Sequence, residues 1–370
     1  MEPLIPAPDV LPLPAPVWVF EVLLVFTFIL HLVPMNLLFG GGLLAAISHM
    51  RAGKDKNHLR LAKRLSELFP IVIAFTVTLG VAPLLFVQVL YGQFVYSSSI
   101  LMANAWFFVI PALIVAYYLA YLVRFKWDAL GGMRAGLVWT MAIIVAVIGF
   151  IYSNNFSLML RPDTWARHYF ADPASGSLNW SDPALYPRYL HMLVGAVAVA
   201  GVWILILGVR RRSGDVEWSN WAVQYGARMF MHATLLNILI GFWFLVALPK
   251  NVMMIFMGQN IAATIILFVS LIMTAAAWML MNKASRATDP RKPAIAGAAH
   301  VLAILIFMAI MRQQVRTASL EPYFRLDDLA VEPQWGPFAM FAGTLVVGLA
   351  ALAWLIKVAL WAKPVPDSES

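Results

Sequence analysis

Nine uncharged stretches, each long enough to cross a lipid bilayer, constrain this chain more than any other feature. They fall at about residues 17–47, 69–95, 100–123, 135–156, 186–209, 219–248, 252–281, 294–315 and 335–361. A helix of ~20 predominantly apolar residues spans the hydrocarbon. Blocks such as Met141–Ile151 and Ile261–Leu280 are apolar on every side, without the alternation of barrel strands,. Backbone polar groups in lipid must be satisfied internally, so the stretches are expected to be helices. The expected fold is one all-α transmembrane bundle over residues 1–370, with a tail at 1–16, spans over 17–361 and a second tail at 362–370. With 62% hydrophobic and 12% charged residues, a soluble enzyme and a nucleic-acid-binding domain are excluded,.

Lys and Arg set the expected direction. Segments after the odd-numbered spans carry 18 of them, among them Arg51, Lys54, Lys56, Arg60, Lys63, Arg64, Arg210, Arg211, Arg212 and Lys363; the opposite segments carry seven. The positive-inside rule then puts the N-terminus outside and the C-terminus in the cytoplasm of a bacterial-type inner membrane. The proline-rich start, Met1–Pro16, lacks a basic n-region and reads as a short translocated tail with span one retained,. Two outer segments, Asn155–Pro187 with Trp165, His168 and Trp180, and Thr317–Trp335 with Tyr323, read as interfacial aromatic anchors ahead of the alternative, a docking surface,. The chain has no cysteine, which removes disulfides, iron–sulfur ligation and thioether haem attachment,. A cofactor would be held by His, Met or carboxylate.

Ionisable groups at membrane depth are costly and invite functional readings. They are few here: Glu21 and His31 in span one, His191 in span five, Arg228 and His232 in span six, and His300 in span eight. His49, His58 and His168 fall in flanking segments and read as solvated or interfacial. One membrane histidine is as readily a packing residue as a ligand, but four on separate helices suit b-type haem ligation, in which an imidazole meets the iron inside an apolar pocket. Proton relay is the rival reading; it normally recruits a mid-depth carboxylate, and Glu21 is too shallow,. By depth, His31 and His232 both fall near the midplane and are expected to be able to share a haem, while His191 lies near Met253, Met254 and Met257 at the start of span seven,. Pro34 followed by Gly40, Gly41 and Gly42 suits either close helix packing or a bend around a cofactor,. Arg312 and Arg316 suit either haem propionates or interface anchoring,.

These residues resemble subunit I of the cytochrome bd quinol oxidases. His31 is similar to that family's first-helix haem ligand, LFPIVIAFTVTLGVAPLLFVQ in Leu65–Gln88 to its second helix, and His191 in RYLHMLVGAVAVAGVWILILG to its fifth-helix ligand of the low-spin haem. The resemblance implies a seventh-helix methionine ligand at Met257 or Met254 and carries nine helices with an outside N-terminus. The chain also departs from the family. The quinol loop shrinks to roughly Pro249–Gly258, Ile100–Ala120 has Asn104 but no acid, the Gly-Arg-Gln-Pro-Trp motif is echoed only by Met311–Val315, and Ala299–Ala309 lacks a carboxylate ligand.

The expectation is therefore a divergent haem b membrane subunit that transfers electrons within a respiratory complex, an oxidoreductase role. Haem b, with metal ligation by His31, His191, His232 and Met257, is the expected cofactor and quinone a second ligand. Expected partners are other membrane subunits, an outer-face c-type cytochrome and membrane lipid, with no nucleic acid. An oxygen-reducing oxidase with a remodelled proton route, and a haem-free transporter or structural subunit, are the alternatives.

Overall fold

The computed structural model describes residues 4–171, 176, 178–210 and 214–361. Arg211, Arg212, Lys363 and the tail from 362 onward lie outside the described residues. The described residues form twelve α-helices: α1 (Val17–Arg51), α2 (Lys56–Leu101), α3 (Ala103–Phe125), α4 (Trp127–Leu130), α5 (Met133–Met159), α6 (Trp165–Ala171), α7 (Leu185–Arg210), α8 (Val216–Ala247), α9 (Lys250–Met254), α10 (Ile261–Arg286), α11 (Arg291–Leu320) and α12 (Trp335–Trp361). Among the described residues nine of them, all but α4, α6 and α9, are long and apolar enough to cross a membrane. The all-helical expectation holds, and the chain is a multi-pass membrane protein. The side on which α1 begins is called the amino-terminal side below, and the opposite one the basic side.

Small residues bring the helices together, as expected where lipid removes the hydrophobic drive for association. A Cβ on Gly40 would stand 2.0 Å from the Ala196 carbonyl oxygen, so α1 and α7 touch backbone to backbone. Gly41 faces Phe69 of α2 and Gly42 faces Met141 and Ala142 of α5. The glycine run is thus a three-way packing hub. α1 stays helical through Pro34, and the bend that the sequence left open falls instead in α2, at Tyr91 (φ −136°, ψ 34°). Gly201 and Gly226 meet reciprocally: a Cβ on Gly226 would lie 2.4 Å from the Gly201 carbonyl oxygen. These approaches fix the relative depth of α1, α7 and α8.

Two local features depart from the sequence reading. Residues 250–259 do not open the seventh span. Lys250–Met254 is a short helix of its own, followed by a π-turn over Ile255–Gln259. Gly258 there adopts φ 108°, which a side chain resists, and Asn260 then caps α10 by accepting from the Ala263 N–H at 3.0 Å,. His58 is buried rather than solvated, set edge-on against Trp221 and Tyr225 with its Nδ1 3.3 Å from Ser48 Oγ. Trp165 is likewise buried and donates to the Leu158 carbonyl at 2.9 Å, whereas Trp180 is exposed.

Asp215 starts α8. Its carboxylate accepts from the Trp218 N–H at 3.0 Å and pairs with Arg60, and these two contacts hold its pKa below the usual carboxylate value. A depressed folded pKa gives stability that is present above the unfolded value and lost as pH falls through the folded one. Asp215→Ala is expected to cost about 1 kcal/mol at neutral pH. Melting both forms in detergent between about pH 7 and pH 3 should show the difference closing toward the acid end; a gap that stays constant with pH would rule out the charged cap.

Candidate functional site

His31 is seated by α2. Its Nδ1 lies 2.9 Å from the Thr76 carbonyl oxygen, and the ring fills a notch over Gly80, where a Cβ would stand 2.8 Å from His31 Cε1. A carbonyl only accepts, so Nδ1–H is the donor and Nε2 keeps its lone pair. The lone pair on Nε2 is what a metal takes, and a backbone carbonyl on the other nitrogen is the usual orienting contact of a ligating histidine. Phe28, one turn away in α1, carries the Arg312 guanidinium 4.2 Å over its ring, and Phe156 of α5 lies 5.1 Å from the same group.

His191 has a parallel seat on α8. A Cβ on Gly241 would stand 3.1 Å from His191 Cε1, so this glycine is the notch. The Nδ1 is buried without a hydrogen-bond partner, as is Oδ1 of Asn237, four residues before Gly241 in α8. One turn nearer the amino-terminal side, Arg188 lies over the ring of Phe244, 5.4 Å from its centroid.

The other candidates are placed differently. Gly40 meets Ala196 where α1 and α7, running in the same direction, cross. His31 precedes Gly40 by nine residues and His191 precedes Ala196 by five, so His31 lies about 6 Å nearer the amino-terminal side. The α7–α8 pairings, His191 with Gly241 and Gly201 with Gly226, set His232 level with about Ala198. That is about 10 Å deeper than His191 and about 16 Å deeper than His31. His232 is also exposed. The structure therefore does not bring His31 and His232 to one depth; counting residues from span ends failed because α1 begins well beyond the start of α7 on the amino-terminal side. Met254 is half-buried at the end of α9, and Met257 is 45% exposed in the π-turn. His300 turns back to its own helix, with Nδ1 2.8 Å from the Ala296 carbonyl oxygen.

A polar network occupies the amino-terminal side. Gln313 donates to Glu21 Oε1 at 3.2 Å and to Tyr91 OH at 3.0 Å, and Tyr91 OH lies 3.4 Å from Thr317 Oγ1. Arg316, buried, donates to Gln313 Oε1, and its Cζ is 5.6 Å from the Tyr91 ring centroid. Arg312 lies within electrostatic range of both Arg316 and Arg188. Among the described residues none of these three arginines forms a salt bridge with a carboxylate.

Among the described residues, two crevices of about 10 Å³ each, room for about one water molecule, are partly open,. One lies between α1, α2 and α7, at Gly41, Phe69 and Trp203; the other is at the amino-terminal side, beside Arg188. Neither is lined by a histidine. Among the described residues no group of three or more His, Asp or Glu is placed to hold a metal ion. Sequence reasoning missed Thr76, Gly80, Asn237, Gly241 and Arg188. Their signals were slight: single small or polar residues in apolar helices, and a cation three residues before His191.

No family profile matches the chain, and no curated protein matches it. Among solved structures, the bd oxidase from Geobacillus thermodenitrificans is similar with a TM-score of 0.73 and 12% identity, over 95% of this chain and 99% of that chain. At that identity the similarity is one of fold: the bundle is bd-oxidase-like.

Proposed function

We propose that the chain is a cytochrome-bd-like haem b subunit that transfers electrons within a respiratory membrane complex. The observation that carries this reading is the seating of His31, whose Nδ1–H is spent on Thr76 over a glycine notch while Nε2 keeps its lone pair,. His191, seated on a glycine of its own in α8, supports a second axial position. The donor chemistry suits haem, while the notches at Gly80 and Gly241 are filled by the histidine rings themselves. His31 and His191 would hold it, with Met254 as the better-shielded methionine candidate and Met257 the more exposed one. A bound haem supplies a one-electron couple whose potential depends on axial ligands, nearby charge and burial.

The protein's own residues do the rest. Thr76 orients the His31 ring, Phe28 and Phe156 hold the Arg312 cation, and Gln313 ties Glu21, Tyr91 and Arg316 into one network. Arg312 and Arg316 are cations without carboxylate partners, suited to haem propionates. With the N-terminus outside, as the basic segments suggest, these groups occupy the outer half, accessible to a quinone in the bilayer or to an outer-face c-type cytochrome. His232 is reserved for a lipid-facing or subunit-facing role.

The haem-free structural subunit is the second reading, favoured by the small cavities and by the histidine rings that fill their own notches. A dithionite-reduced minus oxidised spectrum of the purified protein separates the two. The haem reading expects an α band of b type. Its absence from protein purified without chelators or harsh detergent would leave the structural reading, and an added chlorin-type band would favour the oxygen-reducing alternative.

A further inference from the structure

Arg228 reads from the sequence as a charge nine residues inside the stretch 219–248. The fold places it at the membrane boundary instead. The first turns of α8 pack on residues of α2 that precede the apolar run at 69–95: Asp215 pairs with Arg60, the Arg64 guanidinium lies 3.8 Å over the Trp218 ring, and Trp221 and Tyr225 stack 4.9 Å apart against His58. Arg228 follows Tyr225 by three residues, on the same side of α8 and about one turn deeper,. Arg51, the last residue of α1, acts at the same place from a second helix, since both arginines lie within electrostatic range of His58 and of Tyr225.

Arg51 and Arg228 are both exposed, and among the described residues neither forms a salt bridge, whereas Arg60 has Asp215. Arg228 spends its Nε–H on the Gln224 carbonyl of its own helix at 3.3 Å, which leaves its two terminal amino groups for another acceptor,. The acid in the turn, Asp55, is committed to capping α2, accepting from the Asn57 N–H at 2.8 Å. Beyond Arg228 the same face of α8 continues as an exposed stripe of His232, Leu235, Leu239 and Phe242,. Two cations without an acid thus stand at the head of an apolar track that enters the bilayer. We infer that Arg51 and Arg228 bind the phosphate of an anionic phospholipid in the leaflet on the basic side, with its acyl chains lying along that track. A guanidinium fork suits phosphate oxygens, and headgroup charge adds to the attraction at this depth. The site lies at the protein surface, needs no cavity and does not depend on the haem reading.

The test is native mass spectrometry of the full chain released from micelles doped with phosphatidylglycerol and phosphatidylcholine of matched acyl chains. Wild type is expected to retain one phosphatidylglycerol in preference to phosphatidylcholine. Arg51→Gln and Arg228→Gln should each weaken that retention about tenfold, the loss of one charge-assisted contact. Arg228→Lys should keep most of it, because phosphate also accepts a point charge. Lys283→Gln, which removes an exposed cation from the basic end of α10, is the control and should change nothing. An equal loss in Lys283→Gln would assign the attraction to the basic side as a whole and overturn the site. Equal retention of the two lipids by wild type, or wild-type retention in both glutamine variants, would overturn it as well. Inorganic phosphate at millimolar concentration separates the two sources of the anion: the bound phosphatidylglycerol should survive it, and its displacement would mean a free-anion site instead of a lipid one.

Discussion

A His191→Ala variant is expected to lose the low-spin haem signal altogether, while His232→Ala keeps it in full. The contrast follows from depth and exposure. His191 is seated against Gly241 with an unsatisfied ring nitrogen, whereas His232 is exposed and lies about 10 Å further toward the basic side,. From the sequence alone both histidines are candidate ligands, and only His191 also resembles a family ligand, so the pair of variants tests what the tertiary structure adds. Reduced-minus-oxidised spectra of the two purified proteins, normalised to protein, give the answer directly. Size-exclusion profiles matching wild type would show that the bundle had assembled in both. Loss of the signal in His232→Ala with retention in His191→Ala would invert the assignment.

The second large effect concerns assembly. Alanine ordinarily stabilises a helix over glycine by about 1 kcal/mol. Gly40→Ala is expected to do the reverse, because its Cβ would fall 2.0 Å from the Ala196 carbonyl oxygen, and that oxygen belongs to a packed backbone that cannot swing aside. Separating α1 from α7 at this crossing should cost at least about 3 kcal/mol, the upper part of the usual overpacking range. Gly136→Ala in α5 is the control, since nothing lies within 4 Å of the added Cβ. It should leave the melting temperature in detergent unchanged or raise it. Equal melting temperatures for Gly40→Ala and wild type would show that the two helices do not meet as described. Because the α1–α7 crossing also sets the relative depth of His31 and His191, Gly40→Ala should weaken haem retention as well as stability.

The clearest sequence signals were those fixed by the solvent. Lipid demands continuous apolar helices, and nine of them stand where uncharged runs placed them, with boundaries shifted at α2 and at the start of α10. The candidate ligands were legible as residue types, because an imidazole or a guanidinium in an apolar helix is conspicuous. Their seats were not. Gly80 and Gly241 look like any other glycine in a membrane helix until His31 and His191 are found against them. Met253, Met254 and Met257 looked like one cluster opening a span, yet the positive φ of Gly258 and the Asn260 cap set all three apart from α10, in a short helix and a π-turn. Glu21 read as a lone shallow acid, and only the fold joins it through Gln313 to Tyr91 and Arg316, residues up to 295 positions away in the chain.

Burial of apolar length is a local property, written into each run of residues, and so a multi-span helical bundle with a handful of polar groups inside it can be read from the residues in order. Which of those groups share a depth, which face a neighbour and which face outward depends on where helices cross. Those crossings are set by contacts such as Gly40 with Ala196 and Gly201 with Gly226, between residues far apart in the chain, and only the tertiary structure decided them.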